Sequence, residues 1–305
     1  MNPLRWGDKP YHSLDYELKH QYGEKIYKIA LDAGMTCPNR DGTLGTGGCI
    51  FCSAGGSGDF ASPAASACGK YSIRQQLLEG LSYFHTKKTG NRFIAYFQSY
   101  TNTYAPTGRL RSLYTEALEE PDVVGISIAT RPDCLGDDVI ALLSSLKDSY
   151  PDKFIWVELG LQTMHEETAR FIRRGYPLST FEEALNRLHA ISVPVIVHVI
   201  LGLPHESKEM MIKTCNYLNS CHIDGIKLQL LHVLKNTDLA ALYEQKTFDI
   251  LSLEEYIDIV ITCLEVLSPD IVIHRVTGDG PKELLLAPAW SLNKRHVLNT
   301  LHQQL

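Results

Sequence analysis

Three cysteines early in the chain have the residue type and spacing to hold a metal centre. Cys37, Cys49 and Cys52 stand in LDAGMTCPNRDGTLGTGGCIFCSAGGSGDF as Cys-x11-Cys-x2-Cys. The x2 pair can reach one metal or one cluster. Pro38 and the glycines between Gly42 and Gly58 let the backbone turn tightly and aim N–H groups at sulfides or other negative charge. A cluster held by three thiolates leaves one iron without a protein ligand, where a substrate or cofactor can coordinate; a closed structural site has no such position. On spacing alone two other readings stay open: structural zinc with Cys68 as fourth thiolate, and inert reduced thiols. Cys68 follows ASPAASA with no partner two residues away, a poor zinc knuckle. Cys134, Cys215, Cys221 and Cys263 are scattered and read as small buried side chains. No second cysteine cluster, P-loop or Ser/His/Asp set is evident, so an auxiliary iron–sulfur site is not expected.

The elements that must position these cysteines alternate. Short β-rich runs at 25–31, 92–97, 123–129, 153–161, 193–201, 225–233 and 270–276 are separated by segments of helical period at 72–86, 108–118, 136–147, 166–173, 180–190, 208–220 and 253–267. Repeated βα units predict an α/β fold with a parallel sheet. A spacing of about 30 to 40 residues per unit, with no low-complexity linker, suits a partial TIM-like (β/α) barrel. The reading is one domain over 1–305, with a core at about 20–235 and a C-terminal extension at 236–305 on the substrate side. Chemistry in such folds collects at the C-terminal ends of the strands.

The 305 residues are 44% hydrophobic and 21% charged, enough for one large core. No run approaches the roughly 18 to 20 apolar residues of a membrane span, and the N-terminus lacks a signal peptide's apolar centre. A cytoplasmic protein is expected. The net charge of −6 gives no general attraction to polyanions, so nucleic-acid contact needs a local basic patch. Two sets could gather around the barrel mouth: Arg5, Lys9, Lys19, Lys25 and Lys28, and Arg275, Lys282, Lys294 and Arg295.

CPNRDGT with GGCIFC, YFQSYTNTYAP and HRVTGDGP together resemble the radical-SAM superfamily, and within it the YtqA/YhcC-like family. The likeness covers nearly the whole chain. It implies a radical-SAM barrel whose [4Fe–4S] cluster is held by Cys37, Cys49 and Cys52 and binds S-adenosylmethionine (SAM) through the fourth iron. The reduced cluster would cleave SAM to methionine and a 5′-deoxyadenosyl radical that takes a hydrogen from substrate. A more distant similarity to oxygen-independent coproporphyrinogen oxidase and the elongator catalytic subunit implies further roles. Phe51 would pack near the adenine. Ser99, Tyr100 and Thr101, following Gln98, would bind the methionyl amino group through backbone, although the glycines of that segment are missing here. Ala129 stands where relatives often carry a ribose-contacting glutamate, a role left to Thr130 or Arg131. Gln162 would meet the ribose and Arg174 the SAM carboxylate. His198 stands at a ribose-contacting position, Gly202 opens the loop toward adenine, and Leu231 contacts adenine through backbone.

Each has a plainer reading: turn residues after a strand, helix-terminal charges for Arg173 and Arg174, and a core histidine at 198. His274, Arg275, Thr277, Asp279 and Lys282, in HRVTGDGPK, become substrate-side candidates, against a simple turn at 278–281. The resemblance implies a tRNA substrate modified on the wobble-uridine side chain, and an external one-electron donor of flavodoxin or ferredoxin type. Tetrapyrrole chemistry and a non-catalytic iron–sulfur protein on the same fold are the competing readings.

Overall fold

In FIWVELGLQ, Ile155, Val157, Leu159 and Leu161 are buried apolar residues, while Phe154, Trp156, Glu158, Gly160 and Gln162 alternate with them. A pleated strand sends these two sets to opposite faces. The apolar set meets a layer of helices, and the mixed set faces the inside of a curled sheet. This pattern recurs through the computed structural model, which describes residues 5–56, 72–84 and 90–305. Cys68 and the end of the helix expected at 72–86 lie outside the described residues.

The strands are β1 (Tyr27–Leu31), β2 (Phe93–Phe97), β3 (Val123–Thr130), β4 (Phe154–Gln162), β5 (Val195–Leu201), β6 (Gly225–Leu230), β7 (Val233–Leu234), β8 (Val272–Arg275) and β9 (Leu285–Ala287). Seven of them form one parallel sheet in the order β1-β2-β3-β4-β5-β6-β8, a half-barrel whose two edges are β1 and β8. The α/β expectation holds, and all seven expected strands are present. Between them run α2 (Ile73–Phe84), α3 (Thr107–Leu118), α4 (Asp137–Ser149), α5 (Glu166–Phe171), α6 (Leu178–Ala190), α7 (Lys208–Ser220), α8 (Asp238–Glu244) and α9 (Leu253–Val266). Their apolar stripes, such as Phe181, Leu185 and Leu188 of α6, complete the main core with the outward faces of the strands. No helix among the described residues is long and apolar enough to cross a membrane.

Two details differ from the sequence-based expectation. The sixth strand stops at Leu230 rather than 233. The Leu231 N–H still reaches the Leu201 carbonyl at 2.9 Å, but Val233 and Leu234 then pair antiparallel with β9, forming a separate two-stranded sheet. β5 ends at Leu201 and offers no further ladder, so the chain takes its next partners from residues 285–287. The second detail is α1 (Leu14–Tyr22), which was not among the expected helices. Ser13 caps it, the Ile273 N–H donates to the His12 carbonyl at 2.7 Å, and Leu18 is buried against Ile26, Ile94 and Val124. Those residues lie at or before the N-terminal ends of β1 to β3, so α1 closes the barrel at the end opposite the cysteine loop. Lys9, Lys19 and Lys25 flank that closed end, and Lys28 points inside to Glu158. Lys9, Lys19, Lys25 and Lys28 of the N-terminal basic set therefore do not gather at the mouth.

Candidate cofactor and substrate site

The loop leaving β1 is stapled to the barrel top by its own polar side chains. Arg40 donates to the carbonyls of Cys52 at 3.1 Å and Ser53 at 2.6 Å, and Asn39 Nδ2 donates to the Arg173 carbonyl at 2.8 Å. Gly48, with φ of 72°, lies so close to Arg40 that a Cβ would stand 2.9 Å from its Nε. The result places Cys37, Cys49 and Cys52 along one wall of a cleft of about 960 Å³. Among the described residues no three His, Cys, Asp or Glu side chains converge as ligands of a single metal ion. The trio lines one side of that cleft, and a zinc site completed by Cys68 would include a residue outside the described ones. A hydrogen bond from Cys52 draws the Cys49 thiol down to about 7, helped by Arg131, Asn39 and Arg40 against the effect of burial. The same hydrogen bond, with burial, pushes the Cys52 thiol up, so the pair favours a single thiolate, at Cys49.

Phe51, Tyr100, Thr101, Gln162, Arg174 and His198 all line this cleft. Ser99 does not; its hydroxyl is buried without a hydrogen-bond partner among the described residues. Leu231 lines an adjoining outer chamber of about 1210 Å³, which shares Phe51, Cys52, Gln162, Gln229 and Arg275 with the cleft. Tyr100 and Gln162 hold φ of 59° and 66°, a left-handed conformation costly for non-glycine residues and concentrated at functional sites. Tyr100 is fixed there by its N–H on the Gly56 carbonyl at 2.8 Å and its hydroxyl on the Ala54 carbonyl at 2.5 Å.

Arg174 is 1% exposed. Its Nε donates to the Tyr176 carbonyl at 3.0 Å, and Nη1 donates to the carbonyls of Leu161 at 3.1 Å and Thr163 at 2.6 Å. Nη2 has no hydrogen-bond partner among the described residues, and its one charged partner there is Glu166, in an ion pair at 3.6 Å. A buried cation with three positioning bonds and one spare donor is arranged to receive an anionic group. Arg131 is committed elsewhere: it grips Asp133 with two bonds and donates to the Arg174 carbonyl at 2.9 Å. It supports Arg174 instead of replacing a ribose contact. The Thr130 hydroxyl is likewise taken, at 2.6 Å from that of Thr103.

The substrate-side candidates separate. Arg275 faces both chambers and Asp279 the outer one, where its carboxylate meets Lys294 at 2.5 Å. Lys282 is exposed and borders neither chamber, and Thr277 is buried. His274 sits at a register shift of β8 against β6, edge-on to Trp156 at 5.3 Å, and faces a cleft at the closed end of the barrel.

A buried polar layer lies beneath the cleft; of its members His198 was expected at the cofactor, and Lys28 was expected in a basic patch at the mouth. Glu158 Oε1 accepts from Lys28 Nζ at 2.8 Å and from the Ser127 hydroxyl at 2.7 Å, while Oε2 meets His198 Nε2 at 2.7 Å and the Lys227 ammonium. Lys227 also donates to the Tyr96 hydroxyl at 3.1 Å. Burial pushes the Glu158 carboxyl up, but Lys227, Lys28 and His198 together outweigh it and hold the group well below the usual carboxylate range. Burial, then Lys227, pulls His198 down to about 4, leaving it neutral. A neutral ring that donates from Nε2 to Glu158 and accepts at Nδ1 from Gln229, 3.2 Å away, satisfies all three groups. The signal was present in GIKLQL: a parallel strand covered on both faces should be apolar throughout, and Lys227 and Gln229 two residues apart mark a polar interior.

The Radical SAM superfamily model matches residues 41–218, and the Radical SAM C-terminal domain model matches residues 223–305. The chain belongs to the radical SAM superfamily. Protein YtqA of Bacillus subtilis is 44% identical over all of this chain and 92% of its own length. Among solved structures, the archaeal Elp3 of Methanocaldococcus infernus superposes with a TM-score of 0.67 at 15% identity, over 92% of this chain and 63% of that one. The radical SAM enzyme coproporphyrinogen III oxidase (HemN) of Escherichia coli superposes with a TM-score of 0.51 at 17% identity, over 82% of this chain and 54% of that one. The chain spans less than two thirds of either structure, and these likenesses concern the fold. Superfamily membership makes this protein a radical SAM enzyme, with a [4Fe–4S] cluster and SAM as its cofactors.

Proposed function

We propose that Cys37, Cys49 and Cys52 hold the cluster, that Gln162 and Arg174 bind SAM with Phe51, Tyr100, Thr101, His198 and the Leu231 backbone around it, and that the substrate is the wobble-uridine side chain of a tRNA. The observation that carries the cofactor assignment is the spare Nη2 of buried Arg174, in the same cleft as the three thiols. When bound, the cofactors supply a 5′-deoxyadenosyl radical able to take a hydrogen atom from an unactivated carbon. The protein's own contribution is placement and exclusion. Arg174, oriented by three carbonyls and backed by Arg131, fixes a carboxylate through Nη2. The Glu158 layer gives the floor fixed dipoles in place of mobile water, and the apolar plug under α1 shuts the opposite end. Residues 1–305 act as one catalytic unit in this reading, since β8, far beyond residue 235, is a strand of the same sheet.

The tRNA assignment draws on the sequence resemblance and on local charge. Residues 272–305 carry Arg275, Lys282, Lys294 and Arg295 against Asp279 and Glu283. They lead away from the open end of the barrel, where a polyanion would arrive. Electrons come from an external flavodoxin- or ferredoxin-type donor.

The test is anaerobic reconstitution, followed by SAM cleavage with tRNA from a strain lacking the gene or with coproporphyrinogen. Conversion of a wobble nucleoside by mass spectrometry is expected. SAM cleavage without any tRNA-dependent nucleoside change would overturn the substrate, and turnover of coproporphyrinogen would replace it.

A further inference from the structure

The cofactor assignment leaves HRVTGDGPK largely unused. The loop at 277–281 packs on His232, the second residue after β6, where the chain passes from the large sheet to the small one. His232 lines the outer chamber with Phe51, Gln229, Arg275 and Asp279. Its Nε2 is buried and has no hydrogen-bond partner among the described residues. A purely structural imidazole at such a place would be expected to bond a neighbour, because a buried polar nitrogen left alone costs free energy. Burial also keeps the ring neutral, pulling it down to about 4.

The glycines of the loop bear on the same ring. Neither Gly278 nor Gly280 adopts a left-handed conformation, so turn geometry does not demand glycine. Space does at 280: a Cβ there would stand 3.0 Å from Leu285 Cδ1, 3.1 Å from His232 Cδ2 and 3.3 Å from Cγ, whereas one at 278 would meet His232 Cε1 at 3.4 Å, an ordinary contact. Glycine lets the backbone lie directly against the imidazole. At its tip the loop is tied to α10 (Lys294–Gln304) by the exposed Asp279–Lys294 pair, a weak bond that a polyanion can outcompete.

We infer that His232 receives the substrate in the outer chamber, using its unpaired ring nitrogen to hydrogen-bond the nucleoside, with Gly280 positioning the ring. This rests on the proposed function. The occupant is an uncharged hydrogen-bonding edge, such as that of a nucleobase, since a neutral imidazole offers one donor and one acceptor.

Kinetics with tRNA from the deletion strain test this, using His232→Ala, His232→Gln and Gly280→Ala. His232→Ala should raise KM about tenfold, the cost of one buried hydrogen bond, with kcat changed much less. His232→Gln should recover most of that loss. Gly280→Ala should reproduce the KM defect by pushing the ring aside. Thermal melts identify any variant that fails to fold, and either of the other two then decides. An active wild type whose folded His232 variants keep the wild-type KM overturns this inference alone. A wild type inactive on tRNA removes the proposed substrate and the inference with it.

Discussion

Glu158 is wholly buried and meets two lysines, a histidine and a serine, so removing its charge leaves Lys227 without its only carboxylate among the described residues. Glu158→Gln should cost about 3 to 5 kcal/mol, read from urea midpoints. The layer also sets an acid limit. His198 has a folded pKa of about 4, below its unfolded value of about 6.5, so the unfolded chain binds more protons in between. The stability it contributes is full above pH 6.5 and declines toward pH 4, by about 1.4 kcal/mol per unit. Glu158, shifted down, holds its contribution until the pH falls below about 4.3. Urea midpoints should therefore start falling near pH 6.5, with a shallower slope in His198→Gln; an unchanged slope would show that another group governs. At the cofactor wall, Cys37→Ala, Cys49→Ala or Cys52→Ala should remove the roughly four iron and four sulfide of the reconstituted enzyme, whereas Cys68→Ala should not. Arg174→Ala and Gln162→Ala should each weaken SAM binding about ten- to a hundredfold, or roughly 1.5 to 3 kcal/mol, by calorimetry.

Among the elements, β3 and β4 approach so closely at Gly125 that an added Cβ would stand 2.5 Å from the Phe154 ring and from its carbonyl oxygen. Gly125→Ala should cost about 1 to 3 kcal/mol, while Gly108→Ala, at the start of α3 with nothing within 4 Å, should be neutral or stabilise by under about 1 kcal/mol. The strands were readable because each is a short apolar run bounded by helical period, and the site's general location followed from the cysteine loop after β1. Three things were not readable, each for a physical reason. β7 and β9 are two and three residues long and exist only through each other's hydrogen bonds. α1 has a weak apolar stripe, with Leu18 as its one buried residue, and takes its place from tertiary contacts. Glu158 and Lys28 lie 130 residues apart, and no local pattern joins them. Arg174 illustrates the converse: beside Arg173 it reads as a helix-end charge, yet the chain turns at Arg173, with φ of 56°, and sends Arg174 inward while Arg173 pairs outside with Asp238.

For the molecule as a whole, a net charge of −6 means that the proposed tRNA substrate would have to be held by a few local contacts. Lys294→Ala with Arg295→Ala should weaken binding and reduce the log–log salt slope by roughly 0.7 to 0.9 for each phosphate no longer neutralised, measured by filter retention over a salt series. An unaltered slope would place the phosphate-binding residues elsewhere. The closure of one barrel end by α1 extends from architecture to kinetics. With Leu18, Ile94 and Val124 packed beneath the polar layer, the cleft beside the cysteines and the outer chamber, which share lining residues, both lie on the side of that layer away from α1 among the described residues. If SAM occupies the cleft and tRNA the chamber above, the two must load in sequence, SAM first, and the nucleoside fragment of SAM must wait for the tRNA to leave. Excess tRNA would then slow turnover by trapping that fragment, and substrate inhibition would be relieved by raising salt.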